Sequence, residues 1–164
     1  PVIGIEPALK PAVLAKEHSR LSLWRTPMTL SQTENLIPCC MSTRTRRISS
    51  SAVPGLVEVY RRRNVKRDLF WTSIWKNSSS RYEKSEIDAV VLGCTHYPLV
   101  KNEIQKHLPG VAIYDGGFGT AKQTRKRLTE CGLLSGKESG GEVKIFNSKN
   151  TEDVLELSRR LLNL

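Results

Sequence analysis

A thiol, a hydroxyl and an imidazole follow one another at Cys94-Thr95-His96, within the stretch Gly93-Cys94-Thr95-His96-Tyr97-Pro98. As a thiolate, a cysteine acts as a nucleophile or as a base towards a proton on carbon. Amide dipoles at a helix amino terminus favour that thiolate. Thr95 can offer a hydroxyl and a backbone N–H to a carboxylate, because helix amino termini attract anions. His96 can serve as a proton partner or polarise the site. Each residue also has a plainer use: Cys94 as a small buried apolar group, Thr95 as a helix cap and His96 as a hydrogen-bonded structural imidazole. Glu6, which ends the apolar start of the chain, can face the same crevice or stand as a solvated turn carboxylate.

Chemistry at Cys94 depends on the elements around it. Ala89-Val90-Val91-Leu92 is a continuous apolar run, as in a central parallel strand covered on both faces. A residue just past such a strand lies where open α/β sheets gather their ligands. Pro98 suits a first helical turn. Val100, Ile104 and Leu108 then form one helical stripe, which Pro109-Gly110 stops. Val111–Tyr114 reads as a second strand, and residues 120–131 read as a helix with Gly132 at its C′ position. Val143–Phe146 reads as a third strand. Asn150 is expected to cap a last helix whose apolar face is Val154, Leu157, Leu161 and Leu162. Near the start, Ile3–Ile5 reads as a short strand and Ala8–Lys16 as a helix. Asp115-Gly116-Gly117-Phe118-Gly119 fits neither a dinucleotide nor a Walker pattern and reads as a turn that needs positive φ. Strands alternating with helices give an α/β class built from parallel βα units.

The 164 residues carry a net charge of +10 and are 38% hydrophobic. The excess charge is concentrated: residues 19–85 hold 13 Lys+Arg against 4 Asp+Glu, and the remainder is nearly neutral. That segment also holds Trp24, Trp71 and Trp75 and the runs Arg61-Arg62-Arg63 and Ser78-Ser79-Ser80, with no lasting period. It reads as anomalous and low in order, with disorder expected in part. Its basic stretches, Arg44–Arg47 and Arg61–Arg67, with Trp71, Trp75 and Tyr82 for stacking, supply an alternative function as a basic single-stranded nucleic-acid-binding protein. Charge lying where structural pattern is weakest makes nucleic acid the weaker reading. Cys39, Cys40, Cys94 and Cys131 lack zinc or disulfide-framework spacing, which favours a reduced, cytoplasmic setting without a metal. No apolar run approaches a membrane span. The apolar Val2-Ile3-Gly4-Ile5 reads as a strand already under way, so a truncated amino end is expected.

Ala89–Leu99, as AVVLGCTHYPL, resembles the second cysteine motif of bacterial glutamate racemases in the aspartate/glutamate racemase family. Pro1–Ala12 is similar to an upstream segment of that family. Thr26–Leu30 and Pro54–Glu58 look like intermediate landmarks, and Val111–Leu164 resembles the carboxyl-terminal part. The resemblance implies the aspartate/glutamate racemase-like fold, incomplete because the amino-terminal part is missing. It assigns residues 1–97 to part of the second α/β domain and 98–164 to a segment completing the first domain of a full-length relative. It implies cofactor-independent interconversion of L- and D-glutamate by two cysteine acid/bases, supplying D-glutamate for peptidoglycan. Cys94 and His96 are then the catalytic residues. Thr95, His96 and Glu6 bind the substrate, and full-length relatives can form a homodimer. The family's first cysteine motif is absent, so a truncated and inactive form is expected. A racemase-fold enzyme for another amino acid is a further alternative.

Overall fold

The computed structural model describes residues 2–16, 19–26, 47–53, 56, 87–137 and 139–162. The elements are α1 (Leu9–Ala15), β1 (Arg20–Arg25), β2 (Arg47–Ala52), β3 (Ala89–Leu92), a 3₁₀ turn (Tyr97–Val100), α2 (Lys101–His107), β4 (Ala112–Asp115), α3 (Gly117–Glu130) and α4 (Glu152–Leu162). The four strands form one parallel sheet in the order β2-β1-β3-β4. Contacts divide the chain into two compact units, residues 1–124 and 125–164.

In the first unit the pleat sorts side chains to two faces. Leu21, Leu23, Ala89 and Val91 pack with Ala8, Leu9, Ala12 and Val13 of the α1 segment. Trp24, Val90 and Leu92 pack on the other face with Tyr97, Val100, Ile104 and Leu108. This burial on both faces is what the unbroken apolar run at 89–92 requires. It also explains why the Val100, Ile104 and Leu108 stripe is fully covered.

Asp88 fastens one end of the sheet. Its carboxylate accepts from Lys16 Nζ at 2.6 Å and from the Arg20 amide at 2.9 Å, with Arg20 Nε at 3.5 Å. The Lys16 hydrogen bond, then the Arg20 amide, hold its carboxyl below the ordinary range. At the other end Tyr97 is 1% exposed, and its hydroxyl shares its proton between the carbonyls of Arg25 at 3.0 Å and Val53 at 3.1 Å. The turn after Cys94 is thereby tied to the ends of β1 and β2.

Several expectations change. Within 19–85, a segment whose sequence reads as low in order, Arg20–Arg25 and Arg47–Ala52 form β1 and β2, and residues 27–46, 54–55 and 57–85 lie outside the described residues. Ser-rich β2 lacks an apolar signature, but its backbone pairs with β1 from Arg20↔Arg47 to Arg25↔Ala52. Ser49 Oγ also donates to the Leu21 carbonyl at 3.3 Å. Trp24 is buried, and its indole N–H donates to Ser22 Oγ at 3.1 Å. Ile3–Ile5 is not a strand: among the described residues no ladder pairs with it, and Ile5 is exposed. The division at 124/125 is one of contacts within this chain, and the expected 97/98 boundary is one between domains of a full-length relative. Ala89↔Ala112 pairing keeps β4 in the sheet with β3.

In the second unit α3 ends as expected, with Gly132 at φ 67. Leu133 N–H donates to the Leu128 carbonyl and Gly132 N–H to that of Thr129. Val143–Phe146 is not a strand, and Val143 and Phe146 are 67% and 83% exposed. Thr151, rather than Asn150, immediately precedes α4, and its carbonyl accepts from Val154 and Leu155. Asn150 stands outside the helix at φ 49. No helix among the described residues is long and apolar enough to cross a membrane.

Candidate active site

β3 delivers Cys94 to the carboxyl end of the sheet, as the sequence requires. Gly93 makes the delivery possible. Its amide donates to the Trp24 carbonyl at 2.8 Å, and a Cβ at this position would lie 2.9 Å from that oxygen and 3.2 Å from Arg25 Cγ. Only a residue without a side chain lets β3 run this close to β1. The Cys94 carbonyl then accepts the Tyr97 N–H at 3.2 Å, which starts the 3₁₀ turn. The helix expected directly after the cysteine therefore begins as a single tight turn and becomes α-helical at Lys101.

Cys94 is half-buried and free of any disulfide. It lines a cleft of about 310 Å³ together with Glu6, Thr95, Pro98, Asp115 and Gly116. Volume of this order suits a small polar ligand. Thr95 is exposed at the rim. His96 is also exposed and does not line this cleft. Its Nδ1 lies 3.5 Å from Thr95 Oγ1, at the limit of a hydrogen bond. Glu6 reaches the cleft although its segment is not a strand. Cys131 is exposed in the second unit, outside the lining of this cleft. Cys39 and Cys40 lie outside the described residues, as do Arg44, Arg46, Arg61–Arg63, Trp71, Trp75 and Tyr82 of the nucleic-acid reading.

Asp115 and Gly116 were read as turn residues only. Asp115 ends β4 directly beside Leu92, so the ends of two parallel strands bring its carboxylate to the same cleft as the thiol. Its Oδ1 accepts the Gly117 N–H at 3.1 Å and its Oδ2 accepts from Lys101 Nζ at 3.2 Å. The stretch Asp115–Gly119 is not the positive-φ turn expected: Gly116, Gly117 and Gly119 all lack a positive φ, and α3 begins at Gly117. Gly116 is required for another reason: a Cβ there would run into the carbonyl oxygen of Glu6, with the Ile5 side chain at 3.0 Å. The Glu6 segment and the end of β4 thus touch, backbone to backbone, across Gly116. The signal available in the sequence was the position of Asp115 at a strand's carboxyl end.

No family model matches the chain. The glutamate racemase of Clostridium botulinum (strain Hall) is 35% identical over 165 residues, covering 100% of this chain and 64% of that protein. The glutamate racemase of Clostridium acetobutylicum is 41% identical over 166 residues with the same coverage. Over its whole length the chain is similar in sequence to part of the glutamate racemases. Solved racemase structures agree in fold. Escherichia coli glutamate racemase, in complex with L-glutamate and the activator UDP-MurNAc-ala, matches with a TM-score of 0.74 at 26% identity over 98% of this chain and 62% of that one. A glutamate racemase isoform of Bacillus anthracis matches with a TM-score of 0.67 at 28% identity, over 84% and 52%. The chain spans 64% of the length of these curated racemase relatives.

Proposed function

We propose that this chain carries one half of a glutamate racemase active site, with Cys94 as the base that acts on L-glutamate. The α-hydrogen of an amino acid is a weak acid, so its removal needs a base held close to it and groups that accept developing charge. In this reading the Cys94 thiolate takes the α-proton and becomes a thiol. A second thiol on the opposite face then gives its proton to the carbanion, leaving D-glutamate. Thr95 binds a substrate carboxylate at the rim, His96 assists from the same turn, and Glu6 closes the far wall. The reaction calls for no cofactor or metal. Its product would serve peptidoglycan synthesis in the cytoplasm, in a full-length enzyme that can assemble as a homodimer.

The observation that carries the proposal is half-buried Cys94 in a cleft shared with Thr95 and two carboxylates. Cys94 is the one cysteine lining it among the described residues, and the 164-residue chain alone is proposed to be inactive in inverting glutamate. Two measurements test this. L-Glutamate should slow alkylation of Cys94, read by mass spectrometry on its own peptide, while Cys131 reacts unchanged. Any exchange of the α-proton with deuterated solvent should vanish in Cys94→Ser. Unprotected alkylation of Cys94 at saturating glutamate would overturn the site, and D-glutamate formed by the isolated chain would overturn its inactivity.

A further inference from the structure

We propose that Asp115 is the residue that holds the ammonium group of the amino-acid substrate beside Cys94, an assignment that rests on the glutamate reading above. A substrate of this class brings two carboxylates and one ammonium to a cleft of about 310 Å³. The described lining of that cleft contains no Lys or Arg. Its charged side chains are Glu6 and Asp115, so the charge of this half of the site is complementary to a cation.

Of the two carboxylates, Asp115 is the one fixed in place. Gly117 N–H holds Oδ1 and Lys101 holds Oδ2, and the side chain is 21% exposed. Glu6 is exposed. A carboxylate whose rotamer is already set loses little freedom when it binds. The position of Lys101 matters as well. A larger cavity of about 520 Å³ shares Glu6, Asp115 and Gly116 with the thiol's cleft and is also lined by Lys10 and Lys101. Lys101 lines that cavity and is absent from the lining of the thiol's cleft. Asp115 thus lines both cavities, and the lysine that pairs with it lines only the larger one. The ion pair is partly exposed, with Lys101 at 42%, so solvent screens much of its attraction and it does not cancel the carboxylate.

Discrimination between glutamate and glutarate tests this. The two share both carboxylates, and glutarate lacks the ammonium. Equilibrium dialysis of the full chain should show glutamate bound about tenfold or more tightly, the scale of one hydrogen bond between charged groups. Asp115→Asn should bring the ratio close to one with glutarate binding retained, which also reports that the cleft is intact. Lys101→Met should leave the ratio in place. An unchanged ratio in Asp115→Asn overturns the proposal, and so does a Lys101→Met variant that loses the ratio equally, because Asp115 would then act through the fold. If glutamate still shields Cys94 in a variant that discriminates like the parent, the ammonium assignment fails and the racemase reading stands. If glutamate never shields Cys94, the racemase reading falls and the assignment falls with it.

Discussion

The sheet unit and the tail beyond residue 124 are held together in different ways. In the first, Leu23, Val90, Val91 and Ile104 are fully buried and strands from distant parts of the chain pair in register. In the second, no described residue is buried. α4 has a clear apolar stripe, yet Val154, Leu157 and Leu161 remain partly exposed and Leu162 is 61% exposed. Periodicity alone forms a helix on paper, but burial is what stabilises it. The contrast puts the proposed chemistry in the unit with its own core, where the thiol and the Asp115 carboxylate stand at the ends of two paired strands.

Core truncation should separate the regions most strongly. Ile104→Ala is expected to cost about 2–5 kcal/mol, the range for emptying a fully buried aliphatic site, in urea unfolding of the sheet unit. Leu157→Ala should cost about 1 kcal/mol or less, since little apolar area leaves water there in the first place. Equal losses would break the comparison. Gly93→Ala should follow at about 1–3 kcal/mol, because the new methyl overpacks against the Trp24 carbonyl. The same variant should speed alkylation of Cys94 by loosening the strand end. Tyr97→Phe should cost about 1–3 kcal/mol by removing a buried hydroxyl donor.

Acid should act on the sheet unit through Asp88. Its folded pKa lies below the ordinary 3.8, so its contribution is fully present above that value and is lost as pH falls through the folded pKa. Acid titration of stability should therefore steepen below about pH 4, and Asp88→Asn should flatten that limb. Smallest of all, Arg159→Ala should change stability by about 0.5 kcal/mol or less. Its 2.7 Å pair with Glu152 is exposed on both sides. Amide exchange gives an independent check: the 89–92 amides should be the slowest and those of 152–162 the fastest.

These regions also differ in how much the sequence disclosed. β3, the α2 stripe and the arrival of Cys94 at a sheet end were legible because apolar spacing and strand burial are the same fact seen twice. β1 and β2 were not: in Arg20–Arg25 the buried Leu21, Leu23 and Trp24 are interrupted by Ser22 and bounded by arginines, and Ser-rich Arg47–Ala52 joins the sheet through backbone pairing. Ile3–Ile5 and Val143–Phe146 failed in the opposite direction. Both have strand-like composition, but no neighbouring strand pairs with them among the described residues. Within the site, Cys94 and Thr95 were legible from a local motif. Asp115 was hidden because its importance comes from the pairing of β4 with β3, a relation that spacing along one chain does not display. His96, prominent in the motif, is exposed and is not among the residues lining the cleft.

Gly116 carries one last consequence. Residues 6 and 116 are far apart along the chain, yet they meet with no room for a methyl group between them. Any larger residue at 116 would act as a wedge, prising the chain's beginning away from the rim and flooding the sulfur's compartment with solvent. One missing carbon thus acts as the latch on that door.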